Sequence, residues 1–175
     1  MTAADWIVLA VALQRLGELA YARGNERALR ARGGIEVGAR HYPLFMVLHA
    51  SWLAVVWWGG RAATSFDLCW LAVFLVLQAA RIWVVTALGR HWTTRVITVP
   101  DQPLVRRGPY RFLRHPNYLI VVLEIAVLPH CFGLWEIAVL FSIANLALLA
   151  HRIRVEDGAL GPRRALDTVG KTTDL

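Results

Sequence analysis

The residues able to do chemistry in this chain cluster in two short stretches, at 108–118 and 151–157. The first reads Gly-Pro-Tyr-Arg-Phe-Leu-Arg-His-Pro-Asn-Tyr and the second His-Arg-Ile-Arg-Val-Glu-Asp. Each residue type has a use. Tyr110 and Tyr118 can stack on a planar group or present π-faces to a cation. Arg152 can orient a carboxylate through charge-assisted hydrogen bonds. Glu156, His115 and Glu124 are candidates to take a proton from a hydroxyl. Arg152 and Glu156 lie four apart and share a face if they are helical, where the simplest relationship is a surface ion pair worth about 0.2–0.5 kcal/mol. Both stretches border strongly apolar runs. Polar groups at the mouth of a membrane helix are costly enough to count as functional candidates.

Those apolar runs are the elements that must position the cluster. The chain has 175 residues, is 57% hydrophobic and has a mean hydropathy of +0.48, too apolar for an ordinary soluble domain. Four apolar stretches stand out, at about 5–21, 43–59, 66–88 and 118–150. The third spans a bilayer with some tilt, since about 20 residues suffice. The fourth is too long for one span and short for two. Pro129 and Gly133 near its middle predict a helical hairpin turning around 130–135. The expectation is an all-α, polytopic integral membrane protein of one domain, 1–175. It has about five transmembrane helices, the last two a short hairpin, with a polar loop and a C-terminal helix on one face.

Charge predicts the orientation. The formal charge of +7 is nearly all arginine, 18 Arg against the single Lys171. Five arginines between 23 and 40, six between 90 and 114, and four with Lys171 after 150 fall on one side of a five-span arrangement. The other side holds only Arg61. The positive-inside rule then places the amino terminus outside and the long loops and tail in the cytoplasm, and it accounts for the basic balance without a nucleic acid. The first apolar run lacks a basic leader and contains Arg15 and Glu18, unlike a signal peptide. Cys69 and Cys131 suit neither a metal site nor a disulfide framework and are read as packing residues. Arg15 and Glu18 are expected to neutralise each other, and Glu124 to pair with Arg81 or Arg15. His49, Gln78 and Asn145 are expected to form interhelical hydrogen bonds, with His49 or Asn145 also placed to touch a substrate's polar head. The tryptophans, among them Trp52, Trp57, Trp58 and Trp92, read mostly as interface anchors. The tail from 158 is expected to fray after about one turn.

The run Gly-Pro-Tyr-Arg-x-x-Arg-His-Pro-x-Tyr, followed after the hairpin by Arg-Ile-x-x-Glu-Asp, resembles the isoprenylcysteine carboxyl methyltransferase family. It is similar in particular to small bacterial members, among them enzymes that O-methylate alkylpyrones and alkylresorcinols. The likeness extends through Arg15-x-x-Glu18, Asn25, His41-Tyr42-Pro43 and His49. It implies S-adenosylmethionine as methyl donor, bound at the cytoplasmic membrane face, with the cofactor region at about 90–118 and 151–160. By motif, Gln102, Pro103, Leu104, Val105 and Tyr110 line the cofactor, and His115, Pro116, Asn117 and Tyr118 form its other wall. Glu156 reaches it from the last helix and Arg152 faces the substrate, the two forming the catalytic pair. No metal is implied. The chain departs from the family in carrying Glu156-Asp157 for a glutamate pair and in lacking a tyrosine-rich tail.

The implied reaction is O-methylation of a lipophilic acceptor, either an isoprenylcysteine-like carboxylate or an alkylpyrone or alkylresorcinol hydroxyl, in a bacterial inner membrane. Two other readings share features with this one. A membrane reductase of the sterol-reductase type, using NADPH, shares the His-Pro-x-Tyr element. A non-enzymatic membrane scaffold would share the basic loops, which bind anionic lipid.

Overall fold

The computed structural model describes residues 1–100 and 105–172, with side chains described as far as 159. Five helices run back and forth between two faces: α1 (Ala3–Ala31), α2 (Tyr42–Ala62), α3 (Leu68–Leu88), α4 (Pro116–His130) and α5 (Trp135–Thr172). Local chemistry sets their ends. Thr2 and Asp5 form a reciprocal capping box on α1, and the Asp67 side chain accepts from the first amides of α3. Pro116 opens α4, where its missing N–H costs nothing. Gly133, with φ of 69°, takes the left-handed conformation that reverses the α4–α5 hairpin within 131–134.

Ala39–Ala62, Leu68–His91 and Trp135–Ala159 are each long and apolar enough to cross a membrane. Helix α4 has 15 residues, or about 22 Å of rise, and is shorter than the ~30 Å hydrocarbon core. It is enclosed by its neighbours instead, with Ile120, Glu124, Ile125 and Leu128 buried. The outer surfaces are apolar, as a lipid-facing bundle requires: Leu9, Leu13, Val76, Ile82, Leu140 and Ile143 are all exposed. The chain is a membrane protein.

The interior is layered. Toward the face that carries Asp5 and Arg61, an apolar core packs Val8, Trp52, Val56, Phe74, Leu128 and Phe132. Next comes a charged layer inside the bundle. Arg15 donates to Glu18 at 3.0 Å and Glu124 at 2.7 Å, and Arg81 donates to both Glu18 oxygens at 2.7 and 2.6 Å and to Glu124 at 3.2 Å. Gln78 adds a third donor to Glu124 at 2.8 Å. The pairing of Arg15 with Glu18, and of Glu124 with both arginines, follows the sequence expectation. Together the four make a neutral quartet that ties α1, α3 and α4 together. Beyond it lies the basic face, where the chemistry-bearing residues collect.

Several expectations change. Helix α1 continues ten residues past the apolar run, as far as Ala31. An antiparallel ribbon pairs β1 (Ile35–Val37) with β2 (Val96–Thr98), matching Ile35 to Thr98 and Val37 to Val96. Helix α5 does not fray after 158 but runs to Thr172. It does so through Gly158, Gly161 and Pro162, residue types that disfavour a helix interior, which is why the sequence predicts an earlier end. Cys131 is buried as expected, whereas Cys69 is exposed on the outer side of α3. Trp52 and Trp92 are core residues rather than interface anchors. Of the single polar residues, Gln78 reaches across to another helix, but His49 bonds the Phe45 carbonyl of its own helix at 2.8 Å, and Asn145 makes no bond among the described residues.

Candidate active site

The site forms where four chain segments end on the basic face. The segment between β2 and α4 is pressed onto the end of α3 at Gly108. With φ of 55° and a Cβ position 3.0 Å from the Ala87 Cβ, glycine fits there without strain and a larger residue does not. Arg107 reinforces the seat by donating to the Ala87 carbonyl. The turn that follows presents Tyr110, and Pro116 starts α4 so that His115, Asn117 and Tyr118 surround its first turn. Helix α5 approaches from the other side with Arg152 and Glu156.

These side chains meet through one oxygen. The Tyr118 hydroxyl donates to Glu156 in a very short contact and accepts from Arg152 Nε at 2.8 Å. Arg152 and Glu156 therefore do not form the simple helix-surface pair that their spacing suggests; Tyr118 stands between them. The Arg152 Nη2 also donates to the Thr94 carbonyl at 2.7 Å, and its guanidinium lies over the rings of Phe45 and Tyr118 at 5.2 and 5.6 Å. His115 stacks on Tyr118 with ring centroids 5.3 Å apart and reaches Asp157 at 3.2 Å and Glu156 at 3.9 Å.

A cavity of about 590 Å³ opens in front of this cluster. Such volumes are typical of small-molecule sites. Val105, Tyr110, His115, Asn117, Tyr118, Arg152 and Glu156 all line it, so most of the residues singled out in the sequence share one space. Pro116 is buried behind the wall as the start of α4 and is not part of the lining. Gln102, Pro103 and Leu104 lie outside the described residues. Burial and the nearby Glu156 carboxylate push the Tyr110 hydroxyl above the usual phenol range, so it stays protonated at neutral pH and offers a ring and a donor rather than a base.

The lining offers the rings of Tyr110 and Tyr118 and the Glu156 carboxylate to a planar group and a cationic centre, and five arginines, Arg95, Arg106, Arg111, Arg114 and Arg152, to an anionic one. The Asn117 Oδ1 is buried with no hydrogen-bond partner among the described residues. A buried acceptor left open in this way asks for a donor from a bound molecule. The lining also carries an apolar set, Leu29, Trp92, Val96, Ile97 and Val99, interleaved with His91, Thr93 and Arg95.

Of this apolar set only Leu29 falls outside the 90–118 and 151–160 regions read from the sequence. Leu29 lies on the α1 extension, and Val96 and Ile97 lie on the ribbon. The extension also clamps the lining. Asn25 donates to the Gly89 and Trp92 carbonyls at 3.1 and 2.8 Å, and Glu26 accepts from the Thr94 hydroxyl at 3.2 Å. Thr94 is bonded to Tyr42 at 3.1 Å as well, so the carbonyl that receives Arg152 is held from two helices. Arg95 pairs with Glu36 at 2.6 Å across the ribbon and covers the Tyr42 ring at 4.4 Å. The β-branched residues Ile35, Val37 and Val96–Thr98 were the available signal for the ribbon. At three residues each the two strands are too short to read without knowing that they meet.

The fold and this cavity define a polytopic membrane protein with a cavity of small-molecule size built from helix ends. The chain belongs to the isoprenylcysteine carboxyl methyltransferase family, whose model matches residues 70–162. Membership makes it a membrane methyltransferase, and the match covers Tyr110, His115, Tyr118, Arg152 and Glu156. The chain is also similar to the uncharacterized protein YpbQ of Bacillus subtilis (strain 168). That likeness is 39% identity over 160 residues, covering 89% of this chain and 95% of the relative. An uncharacterized protein of Haemophilus influenzae is 28% identical over 142 residues, covering 78% of this chain and 82% of the relative. No solved structure matches the chain.

Proposed function

We propose that this protein transfers a methyl group from S-adenosylmethionine to an oxygen of a lipophilic acceptor at the cytoplasmic face of a bacterial inner membrane. The observation that carries the reading is the convergence of Tyr118, Glu156, Arg152 and the open Asn117 acceptor on one cavity, in a chain of this family. When bound, the cofactor supplies a methyl group activated by a sulfonium centre. The chain's own residues do the rest. Glu156 and the Asn117 Oδ1 would hold the cofactor's ammonium and hydroxyl donors, and the rings of Tyr110 and Tyr118 would take its cationic and planar parts. Leu29 and Trp92 would help keep water from the bound cofactor.

Arg152 orients the acceptor oxygen. It is held by Tyr118 and the Thr94 carbonyl, so its charge is fixed before the acceptor arrives. Methyl transfer is an in-line displacement, and alignment at about 3–3.5 Å supplies most of the advantage. A carboxylate acceptor arrives ionised and needs only that cation. A phenolic or enolic acceptor gives up a proton, for which His115 and Glu156 are the groups at hand. The arginine-rich face is cytoplasmic by the positive-inside rule, and both relatives come from bacteria.

The test is calorimetric titration of the detergent-solubilised protein with S-adenosylmethionine. Saturable binding is expected, and it should be lost in Glu156→Ala and in His115→Ala. Unchanged binding in both variants refutes the site, and saturable binding of NADPH instead points to a reductase.

A further inference from the structure

We propose that the seam between α2 and α5 recognises a neutral hydrogen-bonding group on the acceptor, with Asn145 as the principal residue and Trp52 and Ser142 beside it. The proposal rests on the methyltransferase reading above and names what its acceptor carries. Asn145 is 0% exposed, and neither its amide oxygen nor its amide nitrogen has a partner among the described residues. Trp52, at 1% exposure, has an unpartnered Nε1–H, and the Ser142 hydroxyl is also unpartnered. Buried polar groups are nearly always bonded. Four such atoms on the paired helices α2 and α5 inside a membrane bundle call for a ligand.

They lie at one level. The antiparallel pairing of α2 and α5 is fixed at the basic face by Arg152 over Phe45 and by His41 against His151. At the other end it is fixed by Gly59, whose Cβ position contacts Leu134 and Ile137. Trp52 falls midway, opposite 142–145.

The seam continues the stripe of α5 that carries Arg152. Asn145, Leu149, Arg152 and Glu156 follow the 3.6-residue repeat along the inward stripe of α5, and the first three are buried. Asn145 is therefore about 10 Å along the helix from Arg152. The Arg152 side chain leans back toward it, as helical side chains do. An acceptor held by Arg152 has its apolar body to place, and this seam carries it from the polar face into the hydrocarbon layer. The donor set fixes the chemistry. Asn145 both donates and accepts and Trp52 only donates, and the charges inside the bundle, Arg15, Glu18, Arg81 and Glu124, are already engaged with one another. A carbonyl, hydroxyl or lactone oxygen fits; a second ionised group does not. A resident water has the same chemistry, and the experiment separates the two.

Three acceptors carry such a group beyond the oxygen to be methylated: an alkylpyrone, an alkylresorcinol and N-acetyl-S-farnesylcysteine. Methyl transfer to each is measured for the parent, Asn145→Leu and Ser142→Ala, alongside S-adenosylmethionine binding and thermal unfolding. Asn145→Leu should lower kcat/KM for the acceptor that the parent uses by about tenfold or more, chiefly through KM. Cofactor affinity should stay within about twofold, and the unfolding midpoint should not fall, because a buried open amide has been removed. An acceptor kcat/KM within about twofold of the parent overturns the proposal and leaves a resident water as the partner. Should Asn145→Leu fail to fold, Ser142→Ala decides by the same measure. A parent that binds the cofactor but methylates none of the three also overturns it. A parent that binds no cofactor refutes the methyltransferase reading itself, and this proposal with it.

Discussion

Replacing Tyr118 with Phe tests the site at a single oxygen. The hydroxyl donates to Glu156 and accepts from Arg152 Nε at 2.8 Å, so the substitution removes two bonds to charged groups. The ring remains, with its stacking on His115. Each lost bond is worth about 1.5–3 kcal/mol, but the two ends recover differently. Arg152 is 8% exposed and keeps the Thr94 carbonyl, so its Nε is left dry and bears most of its loss. Glu156 faces the cavity and can take water instead. The net expected loss of stability is about 2 kcal/mol. Cofactor affinity should also fall, by about tenfold for each 1.4 kcal/mol of Glu156 positioning that is lost. Thermal unfolding in detergent, repeated with and without S-adenosylmethionine, reads both effects. A Tyr118→Phe protein that unfolds within about 0.5 kcal/mol of the parent and binds the cofactor equally well would show that the hydroxyl organises nothing.

Two further substitutions probe what holds the site in place. Glu124→Gln leaves the buried quartet with a net positive charge and should cost about 3–5 kcal/mol. Adding Arg15→Gln restores neutrality and should recover part of that loss, a non-additivity that a double-mutant cycle in thermal unfolding detects. Asn25→Ala frees the Gly89 and Trp92 carbonyls and should cost about 1–3 kcal/mol. It should also raise hydrogen exchange in the 89–95 segment while leaving the α4–α5 hairpin unchanged.

The helices were legible because lipid makes their signal strong. Long apolar runs interrupted by Pro129 and Gly133 can form only helices and a hairpin when every backbone group must be bonded internally. The pairing of Arg15, Glu18, Arg81 and Glu124 was legible for a related reason: four charges inside a membrane have few other partners. The α1 extension was not legible. Its arginines read as topology signal, and nothing local marks Asn25, Glu26 or Leu29 as neighbours of the 89–99 segment. The ribbon was missed because strands of three residues gain their stability from pairing, which is a non-local event. Trp52 and Trp92 were misplaced because a tryptophan carries the same side chain at an interface and in a core.

The sequence by itself determined the class of molecule, the residue types of the site and the side of the membrane expected to hold them. Hydropathy, arginine distribution and the 108–118 and 151–157 stretches are properties of the chain read in order. Only the tertiary structure decided how those residues use one another. The i,i+4 spacing of Arg152 and Glu156 predicts a direct pair, yet Tyr118, from a different helix, comes between them and gives each a fixed direction. Likewise, a lone asparagine in a span predicts an interhelical bond, and packing alone left Asn145 without one. Spacing along a helix sets which residues share a face. What that face meets depends on the packing of the other four helices.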